Sequence, residues 1–144
     1  MSTFRSYLTA SLAMLFLFSL AQAAYAYDLE KEKQEEQQVI NNYKECMSHA
    51  SAHPEALACG KVVYDYWNGK LNASYKDMQK SCDEHDNAQL CRKQLADMEK
   101  AWVTYKDKMT DFLSTLNGQS PLAEVEVQSF LIEATRLQAR NLRR

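Results

Sequence analysis

Four cysteines, Cys46, Cys59, Cys82 and Cys91, lie downstream of a leader-like N-terminus in a chain whose other residues read almost entirely as amphipathic helix. Cross-links dictate which ends of which helices meet, so they restrict the fold more than any other feature here. They also need an oxidising compartment, and the first 26 residues supply the route to one. Arg5 is followed by an apolar run from Leu12 to Leu20 and then by small residues at Ala21-Gln22-Ala23 and Ala24-Tyr25-Ala26. That three-part pattern predicts a cleaved signal peptide over residues 1–26. The run is too short for a membrane span, which takes about 20 apolar residues. No cysteine follows the cleavage region to carry a lipid, so no stable membrane anchor is expected and the mature protein is expected to be free and soluble.

Residues 27–144 are enough for one helical domain with a modest core. The formal charge of −2 becomes −3 once Arg5 is removed with the leader. Its distribution is informative: Asp28, Glu30, Glu32, Glu35 and Glu36 make the beginning acidic, while Arg136, Arg140, Arg143 and Arg144 make the end basic. Both match the dipoles of the helix ends they occupy. A nucleic-acid partner is not expected, because there is no basic face with interleaved aromatics.

Three glycines and two prolines give sparse punctuation, which suits long helices joined by short connections. A first helix is predicted from Asp28 to Ser48, its buried side (Val39, Ile40, Tyr43, Met47) confined to the second half. A second is predicted from Pro54 to Ser81, where Leu57, Tyr64, Leu71 and Met78 recur every seven residues with Trp67 and Tyr75 between them. In the third, Cys91, Leu95, Met98, Trp102, Tyr105, Met109, Phe112 and Leu116 alternate steps of four and three without a break. Such a stripe is expected to be core. Asn117-Gly118 supplies a stop and Ser120-Pro121 a restart, before a fourth stretch with Leu122, Val125, Phe130, Ala134, Leu137 and Leu142. The expected fold is all-α, a bundle of about four helices packed largely antiparallel.

Of the three possible cysteine pairings, a continuous second helix leaves one. Cys59 and Cys82 lie at its two ends, roughly 34 Å apart at 1.5 Å per residue, whereas disulfide partners need Cα atoms within about 7 Å. The predicted pairs are therefore Cys46 with Cys59 and Cys82 with Cys91. A zinc site built on Cys82, His85 and Cys91 lacks a defined fourth ligand, and exported thiols pair before they bind metal. His49 and His53 are expected to be structural or exposed. No metal or other cofactor is expected. No enzyme is expected either, because the chain has no nucleophile elbow, no His-Glu-x-x-His and no glycine-rich phosphate cradle.

Cys46 and Cys59 with twelve residues between them, Leu71-Asn72-x-x-Tyr75, Leu95 leading to Ala101-Trp102-x-x-Tyr105-Lys106-Asp107, and Leu131 with Thr135 and Leu142 together resemble the lysozyme inhibitor LprI N-terminal-like family. The resemblance runs from Cys46 nearly to the end of the chain. It implies a small exported bacterial helical protein, periplasmic or secreted, that binds another protein, with lysozyme as the candidate partner. The departures are specific. Glu99 stands where the family usually has Gln, and Lys106-Asp107 replaces Arg-Asp. A further family cysteine pair is absent near Thr110 and Phe130, and Cys82 and Cys91 flank an insertion. The motif residues also have a physical reading of their own: Leu71 packs, Asn72 reaches across to the next helix, and Trp102 anchors the bundle through its indole. The alternative makes Trp102 and Tyr105 a binding face.

Animal-type lysozymes are strongly basic, so an inhibitor of one benefits from acidic groups on a rigid projection. Asp83-Glu84-His85-Asp86, between Cys82 and Cys91, is the candidate. The competing structural reading is a solvated turn whose bridge clips two helices. A second class of function is an envelope adaptor or immunity-type protein, for which Tyr64, Tyr66 and Trp67 would be the contact face and the acidic first helix an arm.

Overall fold

The computed structural model describes residues 29–118 and 120–143. The expected leader, residues 1–26, and the expected cap Asp28 lie outside them. Four helices cover the described residues: α1 (29–49), α2 (His53–Asp83), α3 (Ala88–Leu116) and α4 (Pro121–Asn141). No strand occurs among the described residues. The chain divides into two compact units, Met1–Asn41 and Asn42–Arg144. In the first, the described turns of α1 are polar and carry local side-chain pairs such as Lys33 with Glu30 (3.5 Å) and Gln37 donating to Asn41 (3.0 Å). Ile40, expected on the buried side, is exposed.

The second unit begins with the end of α1, where the Ala50 N–H closes the last turn onto Cys46 O at 3.1 Å. Both predicted disulfides are present, Cys46–Cys59 with Cα atoms 5.7 Å apart and Cys82–Cys91 at 5.4 Å. At the start of α2 the cap residue Ala52 has no side chain that can accept, and Glu55 compensates from the other direction. Its Oε2 accepts from the Ser51 N–H (2.7 Å), the Ser51 hydroxyl (3.1 Å) and the Ala52 N–H (3.2 Å). The Ser51 backbone bond, then the Ser51 hydroxyl and the Ala52 N–H, hold the Glu55 carboxyl below the usual carboxylate range. The restart before α4 is the one the sequence predicts: Gly118 takes the left-handed conformation at φ 67°, Pro121 opens the helix, and Ser120 Oγ accepts from the Ala123 N–H at 3.2 Å.

Within this unit α2 and α3 run antiparallel, as do α3 and α4, with Cys82 beside Cys91 and Tyr105 against Phe130 (6.1 Å between ring centroids). It follows that α2 and α4 run parallel, and these two share the most extensive interface. Matching positions are linked along its length. His53 Nε2 lies 2.8 Å from Glu124 Oε2, Gln128 Nε2 donates to Leu57 O at 2.7 Å, and the Arg140 guanidinium sits 5.7 Å over the Trp67 ring. Buried Cys59, Val63, Trp67 and Leu71 form the α2 side. The α4 side differs from expectation. Ala134 and Leu142 are buried as expected, but so are Ala123, Thr135, Gln138 and Ala139, whereas Leu122 and Leu137 are exposed. Small residues let the two backbones approach, and the larger side chains turn outward. Thr135 is fully buried and its hydroxyl has no hydrogen-bond partner among the described residues, a term of about 1–3 kcal/mol against folding.

The α3 stripe is the second correction. Leu95 is buried, but Met98, Tyr105, Phe112 and Leu116 are exposed. The contacts with α4 include Gln138 on Met98 and Glu99, Phe130 on Tyr105, and Glu126 on Asn117, and they leave these stripe residues partly open to water; α2 and α3 share the smallest of the three interfaces. The two interior glycines of α2 also differ in kind. A Cβ on buried Gly60 would collide with the Gln128 amide, so the bareness of Gly60 lets that side chain of α4 lie on the α2 backbone. Gly69 is exposed, and a Cβ there would project into open space. Gly69→Ala is therefore expected to stabilise the protein by about 0.5–1 kcal/mol, read as a raised urea midpoint with unchanged slope.

Candidate functional site

The acidic segment lies where α2 ends and α3 begins. Asp83 is the last residue of α2, Glu84 caps it, and all four of Asp83, Glu84, His85 and Asp86 are exposed. The turn is closed by its own backbone: the Glu84 N–H donates to Ser81 O (3.3 Å) and the His85 N–H to Cys82 O (3.2 Å). Directly beneath, the Cys82–Cys91 bridge pins the two helix ends, with Cys82 itself buried. The result is a short, covalently held projection.

Its charge is smaller than a count of acids suggests. Arg92 Nε donates to Asp83 Oδ1 at 2.5 Å, so one carboxylate is paired from α3. Both partners are about half exposed, and a pair of that kind contributes at most about 1 kcal/mol to stability. Among the described residues, Glu84 and Asp86 form no ion pair. The sulfurs of Cys82 and Cys91 are bonded to one another and are not thiolate ligands; among the described residues no three His, Cys, Asp or Glu side chains gather as a metal site requires.

The motif residues separate into structural and surface groups. Leu71 is buried as expected, and Tyr75, one turn on, is half-buried. Asn72 is exposed and makes no side-chain hydrogen bond to another helix among the described residues, because it points away from the face that Leu71 packs. Trp102 is half-buried. Lys106 passes over its ring at 5.9 Å to reach Asp107 Oδ1 at 2.8 Å, while Tyr105 is more than half exposed. The aromatic face assigned to an adaptor is largely covered. Trp67 is buried, Tyr64 and Tyr66 are half-buried, and the Tyr66 and Trp67 rings meet edge to face at 5.1 Å.

Two interhelix contacts escape a sequence reading. Gln138 Nε2 donates to Glu99 Oε2 at 3.0 Å and lies 3.2 Å from Met98 Sδ, so the unusual Glu99 serves as the acceptor that joins α3 to α4. Asn117 Nδ2 likewise donates to Glu126 Oε2 at 2.6 Å. In the sequence Glu99 stands out as a departure from the family's usual Gln, and Asn117 reads as part of a helix stop. A groove of about 930 Å³ opens where the start of α2, the end of α3 and the start of α4 converge. Three of its polar side chains are engaged, Gln128 with Leu57 O, Glu124 with His53, and Lys61 with Asp65, while the Ser114 and Tyr64 hydroxyls also line it.

No helix among the described residues is long and apolar enough to cross a membrane. The family model described as lysozyme inhibitor LprI matches residues 46–142, well over half of the chain and nearly all of the unit that carries both disulfides. No curated protein and no solved structure matches.

Proposed function

This chain belongs to the lysozyme inhibitor LprI family, and from that premise we propose that it is an exported domain that blocks a host-type lysozyme by binding it directly. The match over residues 46–142 carries the proposal, since it spans the packed helices α2, α3 and α4 and both bridges. Inhibitors of this family act by contact rather than turnover. The two disulfides suit an oxidising compartment, which for this reading is the periplasm or the medium outside the cell. Residues 1–26 act as a leader that is removed, and residues 27–144 are the mature chain.

The contact surface in this proposal is the projection Asp83-Glu84-His85-Asp86. Cys82–Cys91 orders it in advance, so little conformational freedom is lost when a partner binds. Its exposed carboxylates suit a cationic protein. The adaptor reading has less support, because Trp67, central to its contact face, is buried against α4.

Replacing Asp83, Glu84 and Asp86 with Asn, Gln and Asn tests the assignment. Lysozyme affinity measured at several salt concentrations is expected to fall about tenfold or more at low ionic strength, with a flatter salt dependence. Unchanged affinity and an unchanged salt slope would remove the projection from the interface.

A further inference from the structure

Met98, Tyr105 and Phe112 stand seven residues apart on α3 and all three are exposed, with Leu116 one turn beyond. A spacing of seven puts them on one line along the helix. The surface continues onto α4, where Phe130 meets the Tyr105 ring and Leu137 is nearly half exposed across a shallow groove of about 380 Å³. Given the 150–250 Å² of large side chains, the exposed fractions of these residues leave about 500 Å² of apolar surface open to water. That is the upper end of what a solitary soluble protein displays. The line itself carries no charge, and its aromatic and methionine composition is that of an interface centre.

We propose that this face binds a second copy of the chain, with α3 packed antiparallel to its counterpart about a two-fold axis at Tyr105. The ladder is symmetric about that residue, so the two-fold sets Tyr105 against itself and Met98 against Phe112 of the other copy. The charges beside the ladder select the same arrangement. Asp97, which already accepts from Lys93 one turn back at 2.5 Å, and Lys108 occupy one flank on opposite sides of Tyr105. Antiparallel pairing puts this flank of both copies on the same side of the dimer, with each acid about a turn and a half from the other copy's base, whereas parallel pairing puts the two flanks on opposite sides. A two-fold contact of this kind removes about 1,000 Å² in total before its polar rim is counted, which reaches the size of a specific interface. It leaves the 83–86 projections free at opposite ends of the dimer.

Sedimentation of the exported, oxidised protein over a range of micromolar concentrations tests this, together with two kinds of variant. The expected result is a dimer that Phe112→Asp weakens by about thirty-fold or more, with helix content unchanged because Phe112 is exposed. A cysteine at the axis, Tyr105→Cys, should join two copies through a disulfide, while Val103→Cys, exposed on another face of α3, should not. A monomer at every concentration, a dimer indifferent to Phe112→Asp, or cross-linking at position 103 as readily as at 105 would each overturn the proposal.

Discussion

Trp67→Ala is expected to destabilise the protein by about 3–5 kcal/mol, enough to unfold much of the population of a domain this size. The side chain is 6% exposed in the parallel α2–α4 interface, with Val63 and Leu71 one turn away on either side. Two terms add to the cavity left by truncation. The ring loses its edge-to-face contact with Tyr66, and Arg140 loses the aromatic surface under its guanidinium. Trp67→Phe should recover more than half of the loss, since it restores ring volume on the same side of α2. Urea unfolding of the three proteins reads these differences. If Trp67→Ala shifted the midpoint by less than the equivalent of about 1 kcal/mol, the α2–α4 interface would not be the main store of stability.

Opening the bridges gives the second large effect. Cys46–Cys59 and Cys82–Cys91 are separated by 13 and 9 residues, and chain entropy assigns each about 2.5–3 kcal/mol. Replacing either pair with alanine should lower the melting temperature by about 10 °C. Their functional consequences are expected to differ. Loss of Cys82–Cys91 frees the ends of α2 and α3 at the projection, so partner affinity should fall even at temperatures where the variant remains folded. Loss of Cys46–Cys59 unties α1 and should change stability while leaving affinity near the parent value. Equal losses of affinity would argue that both bridges act only through global stability.

Much of this architecture is readable in the sequence because hard constraints write it. A helix predicted from Pro54 to Ser81 is a rod, and a rod with Cys59 and Cys82 at its two ends permits only one way of pairing four cysteines. Gly118, Ser120 and Pro121 fix the α3–α4 connection through backbone geometry that few other residues share. What periodicity does not report is how many neighbours a helix has. The stripe of α3 gives the direction of its apolar side correctly, yet α4 covers only one edge of it, and Met98, Tyr105 and Phe112 stay in water. The face of α4 is hidden for a different reason. Ala123, Thr135, Gln138 and Ala139 are buried among the packed helices, Gln138 through its bond to Glu99 of α3, and a hydropathy pattern favours Leu122 and Leu137 instead. The projection is legible as an acidic run, but the charge that Arg92 contributes to Asp83 depends on the turn that brings the two together.

If a disulfide-held helical domain stops lysozyme by direct contact, the plainest measurement is the rate at which a basic animal-type lysozyme clears a suspension of bacterial cell walls, with and without the purified oxidised protein. Clearing is expected to slow in proportion to the added protein and to recover when Asp83, Glu84 and Asp86 are neutralised. Clearing at the full rate in the presence of excess folded, oxidised protein would contradict direct inhibition.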